Sequence, residues 1–262
     1  MRARSPSSSI PTKRSKPSRK SPRQRRWTCR DCLAELRRLG TRRNVEGMAQ
    51  FGIRAKKVYG VSKPKMDLLA KRIGRDHQLA LQLWNSGVHD ARILAGMVDE
   101  AHLVTASQMD RWVRDFDNWD VCDGTCCHLF AHTAFAWQKA ASWSVKSAEF
   151  QKRAGFALMA YLAVHDKRAA DPRFRQLLLI IRREACDDRN FVRKAVNWAL
   201  RQIGKRNLRL NFAAIREAER IRKMDSTAAR WIAADALREL RSEAVQRRLR
   251  QKSFKHSKRN AT

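Results

Sequence analysis

Ala170-Asp171-Pro172-Arg173-Phe174-Arg175-Gln176-Leu177-Leu178-Leu179-Ile180-Ile181 reads as the opening turns of a helix. Proline is tolerated in a first turn because its missing N–H would have had no partner there, and Phe174, Leu177, Leu178 and Ile181 recur at helical spacing along one face. The same pattern stands at Ser62-Lys63-Pro64-Lys65-Met66-Asp67, followed by Leu68, Leu69 and Ile73. Pro64 and Pro172 are the only prolines between Trp27 and Gln251. Working outward, the periodicity predicts helices over about 76–86, 89–98, 105–116, 119–131, 147–164, 188–203, 211–223 and 226–240, with Gly, Ser, Asp or Asn at the breaks. Amphipathic helices in succession, with short connections and no strand runs, predict an all-α fold: a superhelical solenoid of stacked αα-hairpins of the HEAT-like repeat kind. A repeat of about 40–47 residues leaves room for roughly five to six units. A globular helical bundle is the competing fold.

Composition sets the partner. The 262 residues carry 57 Lys+Arg against 25 Asp+Glu, a formal net charge of +32, which calls for a polyanion. Residues 1–26 form an arm of Ser, Pro and ten cations without an acid, expected to be disordered because it has little apolar surface to bury. Such an arm suits non-specific nucleic-acid binding; a solubilising extension or an Arg/Ser-rich transit peptide are the other readings. Residues 27–243 are expected to form the helical domain and 244–262 a basic C-terminal tail, again without an acid. No window is apolar enough for a membrane span and no export signal is visible, so the expected compartment is the bacterial cytoplasm.

Asp115-Phe116-Asp117-Asn118-Trp119-Asp120-Val121-Cys122-Asp123 places four carboxylates in nine residues of a chain short of acids. That opposes polyanion binding and points to a second purpose. A helix starting near Asn118 would put Trp119 and Asp123 on one face. An N-cap at Asp117 or Asn118, a dipole partner in Asp120 and a core Trp119 are the plain alternatives. Further on, Arg153 borders the apolar stripe Phe150, Ala154, Ala157, Leu158 and Tyr161, as either an edge residue or a phosphate clamp. Trp198 lies off the centre of the stripe Val192, Val196, Ala199 and Ile203, between Lys194 and Arg201, and is read as a rim residue or as a surface for a sugar or base.

Three of these places together resemble the AlkD-type DNA alkylation repair glycosylases: Trp119-Asp120-Val121-Cys122-Asp123, then Phe150-Gln151-Lys152-Arg153-Ala154, then Arg193-Lys194-Ala195-Val196-Asn197-Trp198-Ala199-Leu200-Arg201. Val58-Tyr59-Gly60-Val61-Ser62-Lys63-Pro64-Lys65-Met66 is similar to that family's N-terminal G-V/I-x-x-P element, and the likeness runs over about residues 45–240. It implies a HEAT-like superhelix that grips duplex DNA and hydrolyses the N-glycosidic bond of cationic alkylated purines of the 3-methyladenine and 7-methylguanine type. A monomer acting on duplex DNA without a cofactor is expected. By motif, Asp123 matches the catalytic carboxylate, Trp119 and Trp198 the aromatic residues against the lesion sugar, and Arg153 the active-site arginine; Lys194 and Arg201, the cations flanking Trp198, are expected to contact DNA with Arg153. Phe51 departs from the pattern, standing where a family member can have Tyr. A non-catalytic HEAT-like binding protein for structured DNA or RNA is the alternative.

Six cysteines are present: Cys29, Cys32, Cys122, Cys126, Cys127 and Cys186. Cys29 and Cys32 have C-x-x-C spacing, but no second pair follows at zinc-ribbon distance, and no phosphate-loop, dinucleotide or deaminase motif occurs. Reduced structural thiols and no bound metal are expected.

Overall fold

The computed structural model describes residues 26–259, with side chains to Phe254; apart from Arg26, the N-terminal arm lies outside them. The described residues form fourteen α-helices and one short 3-10 turn, without strands. In order they are α1 Cys29–Leu39, α2 Arg42–Gln50, α3 Lys63–Ile73, α4 His77–Asn85, α5 His89–Val98, α6 Ala106–Arg114, α7 Trp119–His128, α8 Ala136–Trp143, α9 Glu149–His165, α10 Asp171–Arg183, α11 Asn190–Gly204, α12 Leu208–Arg222, α13 Thr227–Leu240 and α14 Glu243–Arg259. Pro64 and Pro172 stand in the first turns of α3 and α10, as their sequence positions predict.

The helices stack in two layers. α5, α7, α9, α11 and α13 lie side by side, and α4, α8 and α12 fold back as hairpin partners of α5, α9 and α13. α9 is the centre: Lys152 to Ala160 are all buried between α7, α8 and α11. Gly155 is what lets α8 come so close. A Cβ there would lie 2.4 Å from the Ser144 backbone nitrogen and 2.8 Å from its Cα, atoms that cannot rotate away. Gly155→Ala is therefore expected to cost about 1–3 kcal/mol, read as a lower urea midpoint at unchanged slope; an unshifted midpoint would show that the α8–α9 turn yields freely.

Under α4 to α8 lies an aromatic core. Trp84 and Trp112 stack with ring centroids 3.9 Å apart, and Phe116, Phe130 and Trp143 continue the cluster. Two short N-terminal helices, α1 and α2, and the eight-residue α8 are additions to the elements read from periodicity. α2 buries no residue and so carries no apolar stripe to be seen. The helix expected over 119–131 stops at His128, where Phe130–His132 turns into a 3-10 segment. Residues 244–259, read from sequence as part of a basic tail, belong to α14, because Val245 and Leu249 dock on the domain while their cationic neighbours stay out.

Candidate functional site

The site is assembled at the N-terminal ends of the inner helices. Asn118 caps α7: its side-chain oxygen accepts from the backbone N–H groups of Asp120 and Val121. This fixes the start of the helix and puts Trp119 and Asp123 one turn apart on the same face. On α9, Arg153 meets Asp123 in a two-pronged ion pair, Nε to Oδ1 at 2.9 Å and Nη2 to Oδ2 at 2.6 Å. Its remaining Nη1 donates to the Phe191 carbonyl of α11 at 2.7 Å. One arginine thus ties three adjacent helices together at the carboxylate.

The reading of Arg153 as a phosphate clamp gives way here. The residue is only 7% exposed and its guanidinium is engaged by protein oxygens, so it positions Asp123. Asp123 keeps an open edge, its side chain being 17% exposed. Burial pushes the Asp123 carboxyl above the usual carboxylate range, and the Arg153 charge holds that rise in check. Burial likewise opposes the Arg153 charge, but the carboxylate more than offsets it and raises the guanidinium's pKa. The two-pronged contact is the geometry of a guanidinium–carboxylate pair.

Neighbouring residues hold this arrangement. Lys152 bridges Glu184 and Asp187 at 2.8 Å each, and Arg189 bonds Asp187 and the Ser147 carbonyl, which anchors the start of α11 beside α9. Trp119 donates its indole N–H to the Phe51 carbonyl at 2.9 Å, so the turn after α2 and α7 close on each other. In that turn Gly52 has φ +79°, and a Cβ on it would lie 3.1 Å from the Phe191 ring. The Phe51 side chain itself is 72% exposed. A groove of about 620 Å³ lies beside it, walled by Met48, Phe51, Ile53, Met66, Ile93 and Trp119. Gly60 explains the glycine of the Gly60-Val61-Ser62-Lys63-Pro64 element: its φ is +75°, and a Cβ would strike the Thr41 carbonyl oxygen at 2.6 Å. Asp90 accepts from the backbone N–H groups of Tyr59 and Val61, fixing the approach to α3.

Trp198 is half-buried two turns further along α11, edge-on to Tyr161 at 4.9 Å. Tyr161 neighbours Cys127, one turn beyond Asp123. Burial holds its phenol well above the ordinary range, so it remains a neutral donor. Tyr161 and His89 are site neighbours that the sequence reading missed. His89 is buried on α5, its Nε2 lying 3.1 Å from an Asp120 oxygen. Tyr161 read only as part of an apolar stripe, and no local signal distinguishes it. Lys194 is exposed on α11. Arg201 is instead bound to Glu239 at 2.5 Å and lies 3.6 Å from Asp235, both on α13, so a phosphate would have to compete for it.

The thiols near the site serve packing. Cys122 and Cys126 point their sulfurs at the Phe150 and Ala154 carbonyls of α9, at 3.6 and 3.8 Å. Burial pushes the Cys122 and Cys127 thiols up, and that of Cys32 to about 12, which keeps them protonated and poor metal ligands. Among the described residues no three His, Cys, Asp or Glu side chains converge as a metal-binding set.

The geometry can be set beside known proteins. The sequence model of the family described as DNA alkylation repair enzyme matches residues 32–240. No curated protein matches the chain. Among solved structures, a protein of a family related to the HEAT-like repeat DNA glycosylases, with affinity for branched DNA structures, aligns at a TM-score of 0.69 and 19% identity over 81% of this chain and 95% of that one. At that identity the likeness carries the fold, an all-α HEAT-like stack. With four-fifths of its length matched by the family model, this chain belongs to the DNA alkylation repair enzyme family.

Proposed function

We propose that the protein is a DNA glycosylase that hydrolyses the N-glycosidic bond of cationic alkylated purines in duplex DNA. The observation that carries this reading is Asp123: a carboxylate locked by Arg153, kept partly open, and standing on the same helix face as Trp119 in a strongly cationic protein. A carboxylate with an open edge in such a place repels phosphate, a cost in affinity that glycosidic-bond chemistry at the same carboxylate would offset.

The chemistry fits these groups. A purine alkylated at N3 or N7 already carries positive charge, so the base departs neutral when the C1′–N bond breaks and no general acid is required. Positive charge then develops at C1′ and the ring oxygen of the sugar. Asp123 stabilises that charge through a fixed, water-poor geometry and orients the water that adds to C1′, accepting its proton. Trp119 and Trp198 present ring faces whose negative quadrupole favours a developing cation and whose bulk limits access of other waters. Backbone phosphates are left to exposed cations such as Lys194.

A second reading is favoured by the affinity of the structural neighbour's family for branched DNA: a non-catalytic clamp for DNA junctions. The deciding experiment incubates the protein with duplex DNA carrying 7-methylguanine, with EDTA present, and measures free base. Release at a rate well above the spontaneous one is expected. Tight duplex binding without release, repeated with 3-methyladenine, would favour the clamp.

A further inference from the structure

A cavity of about 1090 Å³ opens at the other end of the inner helices. It starts at Ala163 and Val164 on α9, ten residues beyond Arg153 and hence about 15 Å along the helix. Its walls carry six cations: Lys167 after α9, Lys205 and Arg206 at the end of α11, Arg209 on α12, and Arg248 and Lys252 on α14. Two of the six have structural work. Arg206 donates to the Ala163 and Ala169 carbonyls at 3.1 and 3.0 Å, closing the end of α9, and Lys205 pairs with Glu239 at 2.6 Å.

The other four, Lys167, Arg209, Arg248 and Lys252, are exposed and have no carboxylate within ion-pair distance among the described residues. Asp171 on the wall is already bonded by Asn207 at 2.9 Å. Cations gather at helix C-termini to offset the dipole, and Arg206 does this for α9. That does not account for Arg248 and Lys252, which come from a separate helix. α14 is docked by the buried Val245 and Leu249 and by Gln246, which donates to Asn211 and to the Leu240 carbonyl. The docking sets Arg248 and Lys252, four residues apart on one face, over the cavity. Desolvation, and after it the charges of Arg248, Lys167 and Arg206, push the Lys252 pKa down.

We propose that this cavity is a second phosphodiester-binding site, which holds the backbone of DNA flanking the lesion, several base pairs away from Asp123. The inference rests on DNA being the ligand of the function proposed above. The cavity is open and wide, which suits a passing strand carrying several phosphates better than one enclosed small anion. Rigid docking of α14 would let the site position the duplex, since backbone contacts fix register without reading sequence.

The test is the double variant Arg248→Glu/Lys252→Glu, both exposed positions that leave Val245 and Leu249 in place. Affinity is measured against salt for a lesion-centred hairpin of about 8 bp and for a duplex of about 30 bp; the variant is expected to lower the salt slope by about 2 on the long duplex only, at about 0.9 for each phosphate no longer neutralised. Base release from the short hairpin should stay at the wild-type rate. An unchanged slope on the long duplex, or an equal fall on both DNAs, would overturn the proposal. So would saturable binding of inorganic pyrophosphate that the double variant abolishes while the slopes stay the same, since the cavity would then be a small-anion site. If wild type releases no base yet the long-duplex slope falls in the variant, the glycosylase reading fails and this site stands; base release with unaltered slopes gives the reverse.

Discussion

Asp123→Asn is expected to lower base release by at least about 10²-fold while leaving duplex affinity unchanged or slightly tighter. The substitution keeps the shape of the side chain and removes its charge. Asn can still accept from Arg153 Nε, but its amide cannot accept from Nη2, so one of the two bonds is lost and Arg153 keeps a buried charge incompletely paired. That costs about 1–3 kcal/mol of stability. Activity is therefore compared well below the variant's unfolding midpoint, with circular dichroism confirming the fold. Affinity should not fall, because if the proposed site faces DNA, removing a negative charge from it relieves repulsion. Base release within about threefold of wild type would remove Asp123 from the mechanism.

Arg153→Met separates the positioning role that the structure gives this arginine from the phosphate clamp suggested by sequence. If Arg153 positions and ionises Asp123, its loss leaves a buried carboxylate without its cation. Removing one member of a buried pair costs about 3–5 kcal/mol. Because burial already raises the Asp123 pKa and the arginine restrains it, the variant's carboxyl titrates higher still. The pH at which base release sets in should then lie higher than in wild type. Stability should run the other way. A carboxyl whose folded pKa lies above its unfolded value near 3.8 holds its proton more tightly when folded, so the variant's Tm should fall as pH is raised from about 4 through the folded value. A phosphate clamp predicts something else: a loss independent of pH, with a salt slope lower by about 1. Should the methionine variant fail to fold, Arg153→Lys keeps the charge but not the two-pronged geometry, and a pH profile near wild type with a reduced rate is then expected.

How far the site could be read in advance differs from residue to residue. Trp119 and Asp123 share one helix, and their spacing is enough to put them together once Asn118 starts the turn. Arg153 was legible as an odd cation at the edge of an apolar stripe, but its partner was not: Asp123 stands 30 positions earlier in the chain. Arg201 looked free on its own helix and is bound by Glu239, 38 positions later. α1 and α2 escaped notice because they are short and cation-rich, and α14 because its two docking residues are diluted by seven cations.

The order of the long helices, their proline and capped starts, and the excess of positive charge were determined by the sequence alone, since each depends on neighbours within a turn or on a simple sum. The ion pair at Asp123, the line of side chains from Trp198 through Tyr161 to Cys127 and the docking of α14 were decided only by tertiary structure. Period and caps say which face of a helix is apolar; which helix that face meets, and at what height along it, depends on how small residues such as Gly155 let the helices approach. Ionisable side chains on facing helices find partners only after that packing is complete, so their chemistry is a property of the assembled stack.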